Sequence, residues 1–378
     1  MKRLLFLSLF IVCANTLFAQ VKVTFAISAN AKNTKLPKDI YIAGSFNNWD
    51  AGNKDWRLHS DDNIGWYISN FTIAPGNYEY KLTRGTWTTV ECGKAGADIA
   101  NRQLHLVHDT LIKLQVADWK DNYAIPEKKH TASQNVHILS ENFDMPQLGR
   151  QRRVWIYLPP GYQTSQKKYP VIYMHDGQNL FDEYTSGFGE WGVDEFLDSL
   201  KAGQQQFIVV GIDHGGDFRI TEYSPFDSKY GKAMGDAYAR FLVETLKPYI
   251  DKHYRTYTTA AHTTIAGSSM GGLISMYAAL KYPKVFGNAG IFSPAFWINT
   301  RIYDYAKAEA KPGTRYYFIC GDQESEKETD DMNKMVSVLK DKGLPDKNIP
   351  ATVIKGAKHN EQQWRGELPG FYEWLVRK

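Results

Sequence analysis

The sequence predicts an α/β fold, a mostly parallel sheet covered by helices on both faces, with a small all-β unit in front of it. Three observations carry this. From about Val136 onward, apolar β-rich runs (RVWIYLP, PVIYMHD, FIVVGID, HTTIAGS, YYFICGD, ATVIKG) alternate with helix-periodic segments (VDEFLDSL, AYARFLVETLKPYI, GGLISMYAALKY, DDMNKMVSVLKDKG, FYEWLVRK). Strands apolar along their whole length are buried on both faces, as in parallel sheets flanked by helices. From Val21 to about Trp119 the grammar differs: short runs (VKVTFAIS, IYIAG, GWYISNFTI, NYEYKLT, LHLV, LIKLQV) alternate apolar and polar residues and are separated by Gly, Asn, Asp and Pro. That period of two with closely spaced turns predicts an antiparallel, immunoglobulin-like sandwich. Finally, 378 residues exceed one average domain, so two cores are expected.

Taken in order, residues 1–19 of MKRLLFLSLFIVCANTLFAQ combine Lys2 and Arg3, a short apolar core and Ala19 before Gln20. This predicts a secretory signal peptide, too short for a membrane span, and hence a secreted or periplasmic location. Cys13 follows Val12 rather than a small residue, which argues against a lipoprotein anchor. The sandwich is expected over 20–120, a polar linker over 121–135 (KDNYAIPEKKHTASQN begins at Lys120), and the α/β domain over 136–378. No internal repeat is visible. Cys92 and Cys320 are the two cysteines beyond the leader and fall in different halves, so neither a disulfide framework nor a metal site is signalled. A net charge of +4 with only short basic pairs, Arg152-Arg153 and Lys167-Lys168, argues against nucleic acid as a partner.

The chemistry-bearing stretch is 265-IAGSSMGGL-273. Its G-x-S-x-G spacing selects Ser269 and leaves Ser268 at the variable position, between a strand-like HTTIA and a helix-like GGLISMYAALKY. A turn that tight admits only small neighbours around a serine in a strained backbone. A serine hydroxyl needs a base to take its proton and an acid to orient that base. One histidine lies downstream, His359 in KGAKHNEQQW, and it is the base by elimination. The acid comes from FICGDQESE, where Asp322 and Glu324 both qualify. Oxyanion donors are expected at the Met270 N–H and in HDGQNLFD, at Gln178 or Gly177. His175 precedes the serine and is expected to be structural.

These motifs resemble the esterase D branch of the α/β-hydrolases, a branch that includes feruloyl, acetylxylan and enterochelin-type esterases. The likeness runs from about Val136 to the C-terminus through HDGQNLFD, EWGVDEFL, IVVGIDHGGDFRITEYSP, AGSSMGGLISMYAALKYPKVFG, FSPAFW and KHNEQQW. It implies an α/β-hydrolase fold, Ser269 as nucleophile, His359 as base, and, through the pattern G-x-x-[DE] in 321-GDQE-324, Glu324 as the acid. It also implies that Trp297 lines an acyl site. The first half resembles glycan-binding sandwiches of the starch- and glycogen-binding type, on IAGSFNNWD, YEYKLTRGTW and ANRQL. That likeness implies sugar stacking on Trp49 and Trp87 with polar anchoring by Lys81 and Asn101.

The expected activity is therefore a secreted serine esterase, needing no cofactor, that removes feruloyl or acetyl groups from a polysaccharide such as xylan. A rival of the same fold is a siderophore trilactone esterase, with Arg219 and Tyr223 of FRITEY placed to meet an anionic catechol. A rival of another class is a glycan-binding protein without catalysis.

Overall fold

A computed structural model describes residues 20–28, 39–61, 66–123, 128–325 and 327–377. The expected signal peptide lies outside the described residues. The chain forms two compact units, 1–127 and 128–378.

The first unit is all-β. Seven strands form one hydrogen-bonded series, and Val23, Phe25, Ile42, Leu58, Tyr80, Leu82, Leu104 and Leu106 meet in a common core. In the strand Gly76–Thr83, Tyr80 and Leu82 are buried while Glu79 and Lys81 face outward, the alternation visible in the sequence. Pairing is not wholly antiparallel, as the sequence led us to expect: Val21–Ser28 runs parallel to Thr110–Leu114. The chain reaches that edge only after passing through the opposite edge strand, Arg102–Leu106. Arg57–Asp61 is a further strand that its polar composition, RLHSD, did not announce.

The second unit is an eight-stranded sheet. Its strands are β1 (Val136–Met145), β2 (Arg150–Tyr157), β3 (Val171–His175), β4 (Ile208–Ile212), β5 (Thr263–Ser268), β6 (Asn288–Phe292), β7 (Arg315–Gly321) and β8 (Ala351–Ile354), in the spatial order 1-2-4-3-5-6-7-8. Strands β3 to β8 are mutually parallel, and β2 runs against both its neighbours. Alternate residues feed two cores: Val154, Ile156, Tyr173 and Ile265 pack on one face, Trp155, Tyr157, Ile172 and Ala266 on the other. Both faces being covered is why these strands read as unbroken apolar runs.

Two expectations change here. The stretch 121–135 is not a free linker throughout. From Lys128 it is bonded into the second unit: Thr131 N–H donates to Asp182 (3.0 Å), Thr131 Oγ1 to Glu190 (2.6 Å), Ser133 N–H to Asp194 (2.7 Å) and Asn135 to Asp198 (2.8 Å). Polar side chains do the anchoring, so hydropathy gives no warning of it. The helix expected through AYARFLVETLKPYI is interrupted by a π turn at Leu242–Leu246. Pro248 has no N–H to return to the carbonyl four residues back, and the ladder changes register just ahead of it.

No helix among the described residues is long and apolar enough to cross a membrane. Cys92 and Cys320 are free, buried thiols in separate units.

Candidate active site

Ser269 stands between β5 and helix α1 (Met270–Lys281) with φ 57° and ψ −120°, a conformation that costs an L-residue about 1–3 kcal/mol. The surroundings enforce it. Ser269 N–H donates to Phe292 O at the end of β6 (2.9 Å), and its carbonyl accepts from Leu273 N–H (3.1 Å) and Ala295 N–H (3.0 Å). The flanking glycines sit where a side chain would be tightly crowded. A Cβ on Gly267 would lie 3.0 Å from both the Gly271 carbonyl carbon and His175 Cδ2, and one on Gly272 would lie 3.1 Å from Phe292 O. Ser268, the other serine of the motif, ends β5 as a buried residue.

His175 is packed under this turn. Its Nδ1 lies 2.9 Å from the Tyr238 hydroxyl, its Nε2 has no partner, and burial pushes its pKa down to about 4, so it stays neutral. Beyond it, Asp176 adopts a left-handed conformation (φ 57°, ψ 47°) and accepts two bonds from Arg219, from Nε at 2.7 Å and Nη2 at 2.9 Å. Burial opposes the Asp176 charge, but the guanidinium outweighs it and the carboxyl is held below the usual range. Gly177 follows where a Cβ would come within 2.8 Å of the backbone at Gly211 and Ile212. Gln178 is partly exposed on this one-turn helix, with its Oε1 accepting from His214 N–H (3.2 Å). Met270 opens α1, where the first N–H groups of a helix have no intrahelical partner. Because β3 and β5 are neighbours, the Gln178 turn and the Met270 turn stand side by side at the same sheet edge.

At the ends of β7 and β8, His359 Nδ1 lies 2.8 Å from Glu324 Oε2. The other Glu324 oxygen accepts from Ser293 Oγ (2.6 Å) and Gly321 N–H (2.5 Å), and Trp364 Nε1 in turn donates to Ser293 Oγ (2.8 Å). The Glu324 side chain is 1% exposed and that of His359 37%, so the acid is sealed while the imidazole reaches solvent. Asp322 is employed otherwise: it accepts from Gly356 N–H (2.6 Å) and closes the turn after β8. The ring of Trp364 meets that of His359 edge-on at 5.1 Å.

One expected contact residue is differently placed. Tyr223 is fully buried, its ring 5.2 Å from His175 and 5.1 Å from Tyr238, and is not exposed to a ligand. Arg219 is paired with Asp176 through Nε and Nη2 and stays partly exposed. Trp297, by contrast, is 48% exposed on the one-turn helix after β6, two residues from the Ala295 N–H that holds Ser269. In the first unit Trp49 and Trp87 are brought together with ring centroids 6.2 Å apart, Trp87 being 46% exposed. Lys81 donates to Ile99 O and Asn101 to Glu79 (3.0 Å), both close to the same edge of the strand Gly76–Thr83.

Ser293, Trp364 and Glu361 join the site without a sequence signal of their own. Ser293 was legible only as part of FSPAFW, and Trp364 and Glu361 as part of KHNEQQW; nothing local says that these runs meet. Glu361 opens helix α2 (Glu361–Gly366), accepts from Asn179 of the β3 turn (3.2 Å), and has its pKa pushed up to about 7 by burial.

A strained serine at a strand–helix turn and a histidine–carboxylate pair, all at one edge of this sheet order, define an α/β-hydrolase-like enzyme. The Esterase family model matches residues 145–375, more than half of the chain, and the chain belongs to that family of carboxylic ester hydrolases. Among relatives, the uncharacterized protein YbbA of Bacillus subtilis is 29% identical over 245 residues, covering 60% of this chain and 93% of YbbA. The endo-1,4-beta-xylanase/feruloyl esterase of Xylanibacter ruminicola is 27% identical over 264 residues, 65% of this chain, which spans 33% of that longer protein. Among solved structures, the enterochelin esterase of Shigella flexneri shares the fold, with a TM-score of 0.53 at 15% identity over 89% of this chain and 87% of that one.

Proposed function

We propose that this protein is an exported serine esterase that removes acyl groups, feruloyl or acetyl, from a plant polysaccharide such as xylan. The observation that carries the serine mechanism is the 2.8 Å contact from Glu324 to His359 Nδ1 at the sheet edge that also presents Ser269. With Nδ1–H held by the carboxylate, Nε2 is left to take the Ser269 proton. Ser269 Oγ attacks the ester carbonyl, and the N–H groups of Met270 and of Gln178 or Gly177 receive the oxyanion. His359 then protonates the departing alcohol, leaving acyl-Ser269. A water molecule, deprotonated by His359, repeats the addition and releases the acid and the free serine.

The polysaccharide substrate draws on the xylanase/feruloyl esterase relative and on the pairing of Trp49 with exposed Trp87, which have the apolar faces a sugar ring stacks on. Export draws on the basic and apolar leader over 1–19. The siderophore reading has the enterochelin esterase fold in its favour, but Tyr223 is fully buried and offers no group to a catechol. The deciding experiment is a panel of feruloylated and acetylated xylo-oligosaccharides and a catecholate trilactone, with Ser269→Ala as control. Turnover of the xylan esters that Ser269→Ala removes supports the proposal. Preference for the trilactone shifts the substrate to siderophores, and equal inertness of both proteins on every ester leaves a glycan-binding protein without catalysis.

A further inference from the structure

Glu328 stands outside the Ser269–His359–Glu324 set yet touches it. It opens the helix Glu328–Asp341 and is 3% exposed. One oxygen of each carboxylate, Glu324 and Glu328, and one ring nitrogen of His359 all lie within 4.8 Å of one another. Ser325 is the polar neighbour of Glu328: its Oγ donates to Oε2 at 3.4 Å and accepts from the Glu328 N–H at 3.1 Å. Oε1 is buried without a partner. A buried carboxyl with an orphan oxygen, beside a second carboxylate, is poorly placed to carry a charge.

We propose that Glu328 is a positioning residue for the catalytic histidine: a second carboxyl that shares the site of the Glu324–His359 pair, holds a proton in the resting enzyme, and sets how firmly His359 holds its own. The inference rests on the proposed roles of His359 and Glu324. Four titratable groups face Glu328 besides His359. Asp331 on the same helix acts against its ionisation, as does Glu324; Cys320 is a buried thiol pushed up to about 12, and the Tyr303 hydroxyl, from the neighbouring helix, is turned to Asp331. Burial is the largest influence on Glu328 and raises its pKa, the charge of His359 opposes this, and the balance lies at about 7. The N-terminal end of its helix favours the ionised form, which keeps the proton exchangeable near neutrality.

When Glu328 loses its proton, the added negative charge stabilises imidazolium, so His359 gives up its proton at a higher pH than it would beside a neutral group. A base must be neutral to accept the serine proton, so the acid limb of kcat/KM reports this. The test compares the pH dependence of kcat/KM on a p-nitrophenyl ester for the full wild-type chain and Glu328→Gln, which keeps the shape and removes the charge. We expect the acid limb to move down by about one pH unit. A lower melting temperature or plateau rate with that limb unmoved overturns the proposal, because a purely structural acid would behave so. If Glu328→Gln does not fold, the ring nitrogens of His359 are titrated by NMR in the Ser269→Ala protein. Two coupled steps support the proposal and a single step overturns it. Wild-type hydrolysis by Ser269→Ala would instead sink the serine-esterase reading, which the NMR titration does not depend on.

Discussion

Replacing Ser293 by alanine removes one hydroxyl and disconnects two groups. In the native chain Ser293 Oγ donates to Glu324 Oε1 at 2.6 Å and accepts from Trp364 Nε1 at 2.8 Å. Loss of a hydrogen bond to a charged group costs about 1.5–3 kcal/mol, and a buried indole N–H left unpaired costs about 1–3 kcal/mol. Gly321 N–H still holds the same carboxylate oxygen, so the lower half of each range applies, and we expect Ser293→Ala to lose about 3 kcal/mol of stability. The carboxylate that faces His359 is then held on one side only, and misplacement of a catalytic group lowers kcat/KM by about 10- to 100-fold. Ser293→Gly separates the two contributions of the residue. Ser293 has φ 42°, where glycine is at ease and alanine is not, so the glycine variant should recover about 1 kcal/mol of stability without recovering activity. Urea unfolding and ester kinetics on the three proteins provide the measurements. A loss under about 1 kcal/mol with kcat/KM within about twofold of wild type would refute the role given to this hydroxyl.

The same strain reasoning applies at Ser269: Ser269→Gly should abolish hydrolysis while raising the unfolding free energy by about 1–2 kcal/mol, and a destabilised Ser269→Gly would show that φ 57° is not under strain. His175 binds its proton more weakly folded (about 4) than unfolded (about 6.5), so stability rises with pH across that window and is lost as pH falls through it. The difference is worth about 3 kcal/mol, and His175→Asn should flatten that part of the urea-unfolding profile between pH 7 and pH 4; an unchanged slope would mean that other groups carry it. Trp49→Ala and Trp87→Ala should each reduce retention on insoluble xylan or starch by about tenfold and leave turnover of a small soluble ester unaltered. Equal retention of wild type and both variants would assign these rings to packing.

The sequence alone was enough to place a nucleophile-type turn at Ser269, since only strand, small residues and helix in that order can make it, and to separate two units by their periodicities of two and 3.6. It also narrowed the base to His359, because no other histidine follows. The residues by themselves left Asp322 and Glu324 level, both being acids just past the same strand, and only the likeness to the esterase D pattern favoured Glu324; composition does not record which of them turns inward. The tertiary structure decided that, by bringing Ser293 and Gly321 to one oxygen of Glu324 and His359 to the other, while Gly356 takes Asp322. It likewise decided that Tyr223 belongs to the core, that Arg219 pairs with Asp176, and that His130 to Asn135 is bonded to the acids of the second unit rather than free. The hydrogen-bonded partners, Gly321 apart, lie 31 to 63 positions away, and periodicity, which reports only which side of its own element a residue occupies, carries no record of what a distant segment places opposite it.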